Sequence, residues 1–469
     1  MAEKLTPQQQ QAVQDRGGRL LVSAAAGSGK TKVLVDRLLR YLTDPADPAN
    51  LDDFVIITYT KAAASELRGK IAAKLTEAIA GDPENRHLQR QMQRLFLTKI
   101  STVHGFCSDI LREYAYRLDL PADFRVADEN ECREIRETVL ADVLDSAYET
   151  AGEDPDFRSF VDSQGLGRTD ALVAEIVLKV YDSARCHLDP GSWLEKALED
   201  ADVEGMTDAA ETLWGRYLMD DLMDYLDCQI AVMTECAHLA ELAENMEKPA
   251  VNLWDTLYQL RHLRESSSWD EVVARKSIDF GRLTFPRKGI DAELAEKIKA
   301  CRSACKKGIE KYARSFADGS EQVLEDLKKS GAAARGLIRL VCRFSEEYDR
   351  AKRSRRILDF GDLEHKTLDL LMGTSRSGTT AAAREIAQRF REIMVDEYQD
   401  SNGVQDAIFM TLTNQRQNCF MVGDVKQSIY RFRLADPGIF LEKYGEYVPA
   451  SEASAGQGRK IIWRNWQTR

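Results

Sequence analysis

Apolar residues follow two different rhythms along this chain, and the change of rhythm divides it. Near the start, short continuous apolar runs, Leu20-Leu21-Val22 and Phe54-Val55-Ile56-Ile57-Thr58-Tyr59, read as strands. Between and after them lie helix-like stretches: Thr31 to Leu39, then an amphipathic segment with Leu67, Ile71, Leu75 and Ile79 on one stripe. A further short strand is predicted at Ile100-Ser101-Thr102-Val103, so this part alternates strand and helix. From about residue 115 to 355 the pattern becomes long, charged and helical, with Lys-rich stretches around Lys297-Ile298-Lys299 and Lys306-Lys307. Strand-like runs return at Ile393-Met394-Val395 and Cys419-Phe420-Met421-Val422. No internal repeat or low-complexity tract interrupts the series.

The candidate chemistry sits where these runs end. Ala24-Ala25-Ala26-Gly27-Ser28-Gly29-Lys30-Thr31 lies between the first strand and the first long helix, the context a phosphate-binding loop requires, with Ala24 in place of the usual first glycine. Small residues there let backbone N–H groups converge on phosphate oxygens at a helix N-terminus. Lys30 would reach the β and γ phosphates and the Thr31 hydroxyl would ligate Mg²⁺. A second motif, Asp396-Glu397-Tyr398-Gln399-Asp400, follows the strand Ile393 to Val395. Asp396 can hold Mg²⁺ and Glu397 can act on an attacking water. An acidic run alone would suit a solvated surface equally well; paired with the loop it points to an ATPase.

A third stretch, Val422-Gly423-Asp424-Val425-Lys426-Gln427-Ser428-Ile429-Tyr430-Arg431-Phe432-Arg433, starts at a strand end and runs into alternating aromatics and arginines. Gln427 could sense phosphate. Tyr430 and Phe432 could stack on the bases of single-stranded nucleic acid, while arginines neutralise its phosphates. Alternate positions also fit a half-buried strand.

Composition narrows the class. The 469 residues carry a formal net charge of −12, so any site for a polyanion must be a local patch rather than a global basic surface. Length predicts two to four domains. No signal-peptide core follows Met1 and no apolar run approaches membrane-spanning length, which predicts a cytoplasmic chain without membrane contact. Nine cysteines are scattered with no Cys-x-x-Cys; Cys301 and Cys305 would share one helix face, but without a third ligand they read as reduced and structural. No zinc or iron-sulfur site is expected. Lys30 and Asp396 must lie side by side, so the helical middle has to leave the sheet and return to it as an inserted domain.

The order and wording of these motifs resemble the UvrD/PcrA-type superfamily 1 DNA helicases, and within them the AddA chains of the bacterial AddAB (RexAB) helicase-nucleases. The resemblance rests on Val22 to Thr31, Val395 to Ser401, Val422 to Pro437 and Leu358-Asp359-Phe360-Gly361-Asp362-Leu363. It implies an α/β fold: a RecA-like P-loop NTPase domain with a parallel sheet, built from residues 1–115 and 355–450. A large all-helical inserted domain (1B-like) would fill 116–354, and 451–469 would open a second motor domain. It further implies an ATP- and Mg²⁺-dependent 3′-5′ DNA helicase subunit for double-strand-break repair and recombination. Its partners would be single- and double-stranded DNA and a second, AddB/RexB-like subunit.

Position by position, the resemblance makes Lys30, Asp396, Glu397 and Gln427 catalytic, with Gln427 the γ-phosphate sensor. Thr31 and Asp396 become metal ligands. Nucleotide contacts fall to Gln9, in a Leu5-Thr6-Pro7-Gln8-Gln9 segment like the family's adenine-reading motif, to Ala24, Ala25, Ala26, Gly27, Ser28, Gly29, Lys30 and Thr31, and to Trp466. DNA contacts fall to Tyr59, Thr102, His104, Tyr430, Phe432 and Arg433. His104 by itself also suits a structural histidine, and Lys61 stands where the family usually has Asn. Gln467 departs from the arginine expected after Trp466, and the spacing around Trp463 is short. The chain is accordingly expected to be a truncated form, or a frameshifted gene end, without the second RecA-like domain and the nuclease domain. Such a chain would bind ATP and single-stranded DNA without translocating. Two alternatives stay open: a stand-alone UvrD/PcrA-type repair helicase, and a non-motor module that clamps DNA or a partner when ATP is bound.

Overall fold

The computed structural model describes residues 5–25, 27–121, 123–164, 171–286, 289–413, 417–428, 435–452 and 458–463. Along the chain the first elements are α1 (Pro7–Gln14), β1 (Arg19–Ser23), α2 (Lys30–Leu42), β2 (Phe54–Thr58), α3 (Lys61–Gly81), α4 (Arg86–Arg94), β3 (Lys99–Thr102) and α5 (Val103–Glu113). A short strand β4 (Arg125–Val126) precedes a helical run: α6 (Glu129–Glu149), α7 (Pro155–Gln164), α8 (Ala171–Ala184), α9 (Pro190–Ala201), α10 (Leu213–Leu242), α11 (Glu247–Arg264), α12 (Trp269–Arg275), α13 (Ala292–Ser315) and α14 (Ser320–Ser354). Then come β5 (Ile357–Leu358), α15 (Phe360–Met372), α16 (Ala381–Gln388), β6 (Glu392–Val395), α17 (Gly403–Thr413), β7 (Cys419–Gly423), α18 (Pro437–Glu446), β8 (Val448–Pro449) and β9 (Arg459–Trp463).

These elements form two compact units. One contains Met1–Asp145, Ala174–Trp193 and Val341–Arg469; the other contains Ser146–Val173 and Leu194–Leu340. The first is built on a seven-stranded sheet of order β3-β2-β6-β7-β1-β9-β8. Every neighbouring pair in it is parallel. Its strands are continuous apolar runs because both faces are covered, as parallel sheets require. Successive residues alternate between two cores: Leu21, Val55, Ile57, Ile393, Val395 and Met421 point to one, packed against α5, α15, α16 and α17. Leu20, Val22, Ile56, Met394, Phe420 and Val422 point to the other, packed against α1 to α4. The expected stripe on α3 is buried at Leu67, Ile71 and Leu75 and half-buried at Ile79.

The chain beyond 450, where sequence alone closes the sheet domain, continues the sheet. Strand β9 pairs in parallel with β1, Leu21 lying opposite Ile461. Parallel β4 and β5 make a separate two-stranded ladder.

In the second unit the described residues are helical or irregular, with no strand among them. Its core joins Leu222, Leu226 and Met233 of α10 to Leu253, Leu257 and Leu260 of α11 and Ile298 and Cys305 of α13. Trp269 packs on Phe316 with ring centroids 4.3 Å apart, its indole N–H donating to the Asp318 carbonyl at 2.9 Å. Cys305 is buried in this core and Cys301 half-buried beside it, and every cysteine is a free thiol. Among the described residues no helix is long and apolar enough to cross a membrane.

Candidate nucleotide and single-strand site

In open parallel sheets the loops at strand carboxyl ends carry the ligand site. Five such ends bear the residues singled out by the sequence: β1 leads to Ala24, β2 to Tyr59, β3 to Thr102 and His104, β6 to Asp396, and β7 to Asp424.

The loop after β1 is anchored where the Ala24 N–H donates to the Gly423 carbonyl at 3.0 Å, and it turns through Gly27 (φ 71°) and Gly29 (φ 82°). Gly29 is the N-cap of α2 and lies in the left-handed region, where a Cβ would be strained. A Cβ there would also come within 3.2 Å of the Gln9 amide nitrogen. That amide donates to the Ser28 carbonyl at 2.8 Å, while its oxygen accepts from the Thr6 N–H at 2.8 Å, so a capping box on α1 holds Gln9 against the loop.

Lys30, 8% exposed, donates to Glu397 Oε2 at 2.9 Å. The same oxygen accepts from the Gln399 amide at 2.9 Å. Gln399 in turn accepts from the Asp424 N–H at 2.9 Å, and the Gln427 amide donates to the Asp424 carboxylate at 2.5 Å. One hydrogen-bonded line therefore runs from the loop lysine to Gln427. Glu397 starts it from a left-handed backbone (φ 53°), an uncommon conformation for a residue with a Cβ. Gly423 is small by necessity, because a Cβ there would sit 2.5 Å from the Gln399 side-chain oxygen.

Asp396 is buried, its N–H extending the β2 ladder to the Ile57 carbonyl at 2.9 Å. Burial, reinforced by the neighbouring Glu397 charge, pushes its carboxyl up to about 6. A buried acid with a hydroxyl residue nearby supplies the hard oxygen donors that suit Mg²⁺. Thr31, Glu397 and Gln427 line two clefts. One, of about 600 Å³, also takes in Gly27, Gly29 and Lys30; the other, of about 520 Å³, takes in Tyr59, Asp396 and Gln399.

The structure holds Tyr59 by its hydroxyl, 2.5 Å from the Ser401 hydroxyl, with its ring half-buried. Thr102 caps α5, its hydroxyl accepting from the Gly105 N–H at 3.2 Å. His104, in the first turn of α5, bonds Glu364 at 3.0 Å and stacks on Phe360 with centroids 4.5 Å apart and planes 17° from parallel. Phe360 is 42% exposed, an unusual exposure for a large apolar ring. Lys61 is the exposed first residue of α3. Ala26, Tyr430, Phe432, Arg433 and Trp466 lie outside the described residues.

Several residues of this region escape sequence reading. Lys70 lines both clefts from α3, where spacing shows only a polar helical position. Gln399 is visible as part of the acidic motif but not as its bridge. Phe360 and Glu364 lie in or next to the quoted segment Leu358 to Leu363, yet nothing there marks one as a stacking ring and the other as a buried acid.

A parallel sheet with a glycine-turned loop at β1 and an acidic pair at β6 defines the class of P-loop nucleotide-binding folds. The chain belongs to the UvrD/REP helicase N-terminal domain family, whose model matches residues 5–448. It is similar over its whole length to the AddA chain of the ATP-dependent helicase/nuclease of Clostridium perfringens (strain SM101), at 35% identity. The proteins of the same name from Pelotomaculum thermopropionicum and Moorella thermoacetica are 37% and 38% identical over 99% of the chain. The chain spans 38%, 37% and 34% of the length of these three relatives.

Proposed function

We propose that this chain binds Mg-ATP at the β1 and β6 strand ends and single-stranded DNA alongside, as the ATPase part of a DNA helicase subunit. The observation that carries the reading is the hydrogen-bonded line from Lys30 through Glu397, Gln399 and Asp424 to Gln427. It joins a phosphate-loop lysine, an acid and a glutamine sensor in one cleft. Phosphates entering that cleft compete with Glu397 for the Lys30 ammonium. Glu397, 44% exposed, is then free to accept a proton from, or orient, water. Thr31 and Asp396 would hold Mg²⁺, which supplies neutralisation of the phosphate charge.

On the DNA side, Tyr59, Thr102 and His104 together with Phe360 present polar and aromatic groups of the kind that take up single strands by stacking. The helical unit, Ser146–Val173 with Leu194–Leu340, serves as the inserted domain. The names of the relatives favour a subunit of a two-component helicase-nuclease acting in break repair, moving 3′ to 5′ with an AddB-like partner in the cytoplasm.

The test is phosphate release from Mg-ATP with and without a single-stranded oligonucleotide, comparing the chain with Lys30→Ala. DNA-stimulated release that the substitution abolishes is the expected result. Release that Lys30→Ala leaves intact, or no binding of nucleotide at all, refutes the proposal.

A further inference from the structure

The proposed chemistry makes no use of Glu364, a 5% exposed acid one turn into α15. Its Oε1 accepts from two other helices, from His104 Nε2 at 3.0 Å and from the Gln405 amide at 2.7 Å. His104 lies in the first turn of α5 and stacks on Phe360, which stands four residues before Glu364. Gln405 lies in the first turn of α17, and its own N–H donates to the Asn402 side chain at 2.9 Å. Asn402 follows Ser401, whose hydroxyl meets that of Tyr59 and which closes the turn begun at Asp396 and Glu397.

A carboxylate taken out of water persists only where donors replace the lost solvent. Burial alone would raise the Glu364 carboxyl; the His104 hydrogen bond and charge, with the Gln405 amide, bring it below the ordinary carboxylate value. Both donors are therefore needed where they are. Displacing the first turn of α5 from that of α17 strands a buried anion, so the two turns move together or the acid is left unpaired.

The geometry points to Glu364 as a positioning residue that couples the single-strand face at His104 and Phe360 to the turn following Asp396 and Glu397. The inference rests on the proposed binding of ATP and single-stranded DNA. Coupling between two binding sites is reciprocal, and typical factors are about 5–150-fold. It is read as the ratio of DNA dissociation constants with and without nucleotide.

The experiment is fluorescence anisotropy of a labelled oligothymidylate, with and without saturating Mg-AMPPNP, on the full chain, Glu364→Gln and Gln405→Met. The unmodified chain should show a ratio of about fivefold or more. In both variants the ratio should fall below about twofold, with AMPPNP affinity in the absence of DNA within about twofold of the unmodified chain. A merely structural residue would change stability or both affinities without erasing their ratio. Should Glu364→Gln fail to fold, Gln405→Met, which keeps the His104 to Glu364 bond, decides alone. An unchanged ratio in the variants overturns the inference while leaving the proposed function standing, and so does an unmodified chain that binds both ligands independently. An unmodified chain that binds neither overturns the function itself, and the inference with it.

Discussion

Arg37 and Glu392, 355 residues apart in sequence, meet beneath the nucleotide site as a buried bidentate pair, Nε to Oε2 at 2.8 Å and Nη2 to Oε1 at 2.6 Å. Their side chains are 2% and 3% exposed. Arg37 Nη1 also donates to the Ala12 carbonyl at 2.7 Å and the Asp15 carbonyl at 2.5 Å, and the Tyr41 hydroxyl donates to Glu392 at 3.2 Å. The pair thus fastens α1, which carries Gln9, and α2, which follows the phosphate loop, to β6, which delivers Asp396. Removing one member of a buried pair costs about 3–5 kcal/mol, because the other charge is left uncompensated. Glu392→Gln keeps an acceptor oxygen and falls near the lower figure; Glu392→Leu leaves the guanidinium facing carbon and falls near the upper one. At roughly 2 °C per kcal/mol for a large domain, Glu392→Leu should lower Tm by about 10 °C.

The double variant Arg37→Met with Glu392→Leu removes both charges together. What stays unsatisfied is neutral, chiefly the Ala12 and Asp15 carbonyls and the Tyr41 hydroxyl, at about 1–3 kcal/mol each where water cannot reach. Its destabilisation should therefore fall at least about 2 kcal/mol short of the sum of the single effects. Urea denaturation followed by circular dichroism measures all the variants, with Arg37→Met alone completing the cycle, and titration with Mg-ATP shows whether the nucleotide site loosens with them. Additivity within about 0.5 kcal/mol, or a Glu392→Leu chain as stable as the parent, would sink the argument that this pair is a coupled clamp.

Three further outcomes are expected. His365 is 6% exposed and is held down to about 4, by burial first and then by the Arg185 charge. The unfolded chain, titrating near 6.5, binds more protons than the folded one between these values. Stability is therefore full above about pH 6.5 and falls by on the order of 3 kcal/mol toward pH 4. His365→Gln should flatten that part of the stability profile, and an unchanged slope refutes the assignment. Gly29→Ala should weaken Mg-ATP binding at least about tenfold, since the left-handed backbone costs about 1–2 kcal/mol and the loop N–H groups move. Gly69→Ala in α3, with open space at its Cβ, should leave binding unchanged and raise stability by about 0.5–1 kcal/mol. Phe360→Ala should weaken oligothymidylate binding by roughly 5–150-fold, the equivalent of about 1–3 kcal/mol of stacking, with Mg-ATP affinity unaltered; unaltered DNA binding removes Phe360 from the single-strand face.

Much of the sheet was legible because its signals are local. A run such as Phe54 to Ile57 announces a strand by composition, and the loop from Ala24 to Thr31 announces its own neighbours on either side. Strand order was not legible: nothing near Cys419 says that β7 lies between β6 and β1, since that is decided by packing over hundreds of residues. The run Arg459 to Trp463 was read as lying past the sheet, because the motif that follows it drew attention away from a five-residue apolar strand. Arg37 and Glu392 look in sequence like ordinary polar positions of a helix and a strand edge. Each is buried only because the other, far along the chain, arrives to neutralise it. The same holds for Glu364, whose neighbours suggest a solvated helix turn.

The residues that sequence reading missed are joined to those it found. Lys30 and Gln427 were each legible as phosphate-seeking groups, yet the side chains that connect them, Glu397, Gln399 and Asp424, make a line that exists only in the fold. Its terminal groups have different demands: an ammonium satisfied by any anion, and an amide held by one carboxylate. A phosphate that draws Lys30 from Glu397 leaves the Gln399 amide as the remaining donor to that oxygen, and Gln399 cannot follow Glu397 without loosening its hold on the Asp424 N–H. The turn Val425–Gln427 begins at that N–H, because Asp424 is its N-cap. Displacement at the phosphate loop is in this way converted into displacement of the turn that carries Gln427, by hydrogen bonds between 2.5 and 2.9 Å whose loss no water in a buried segment would replace.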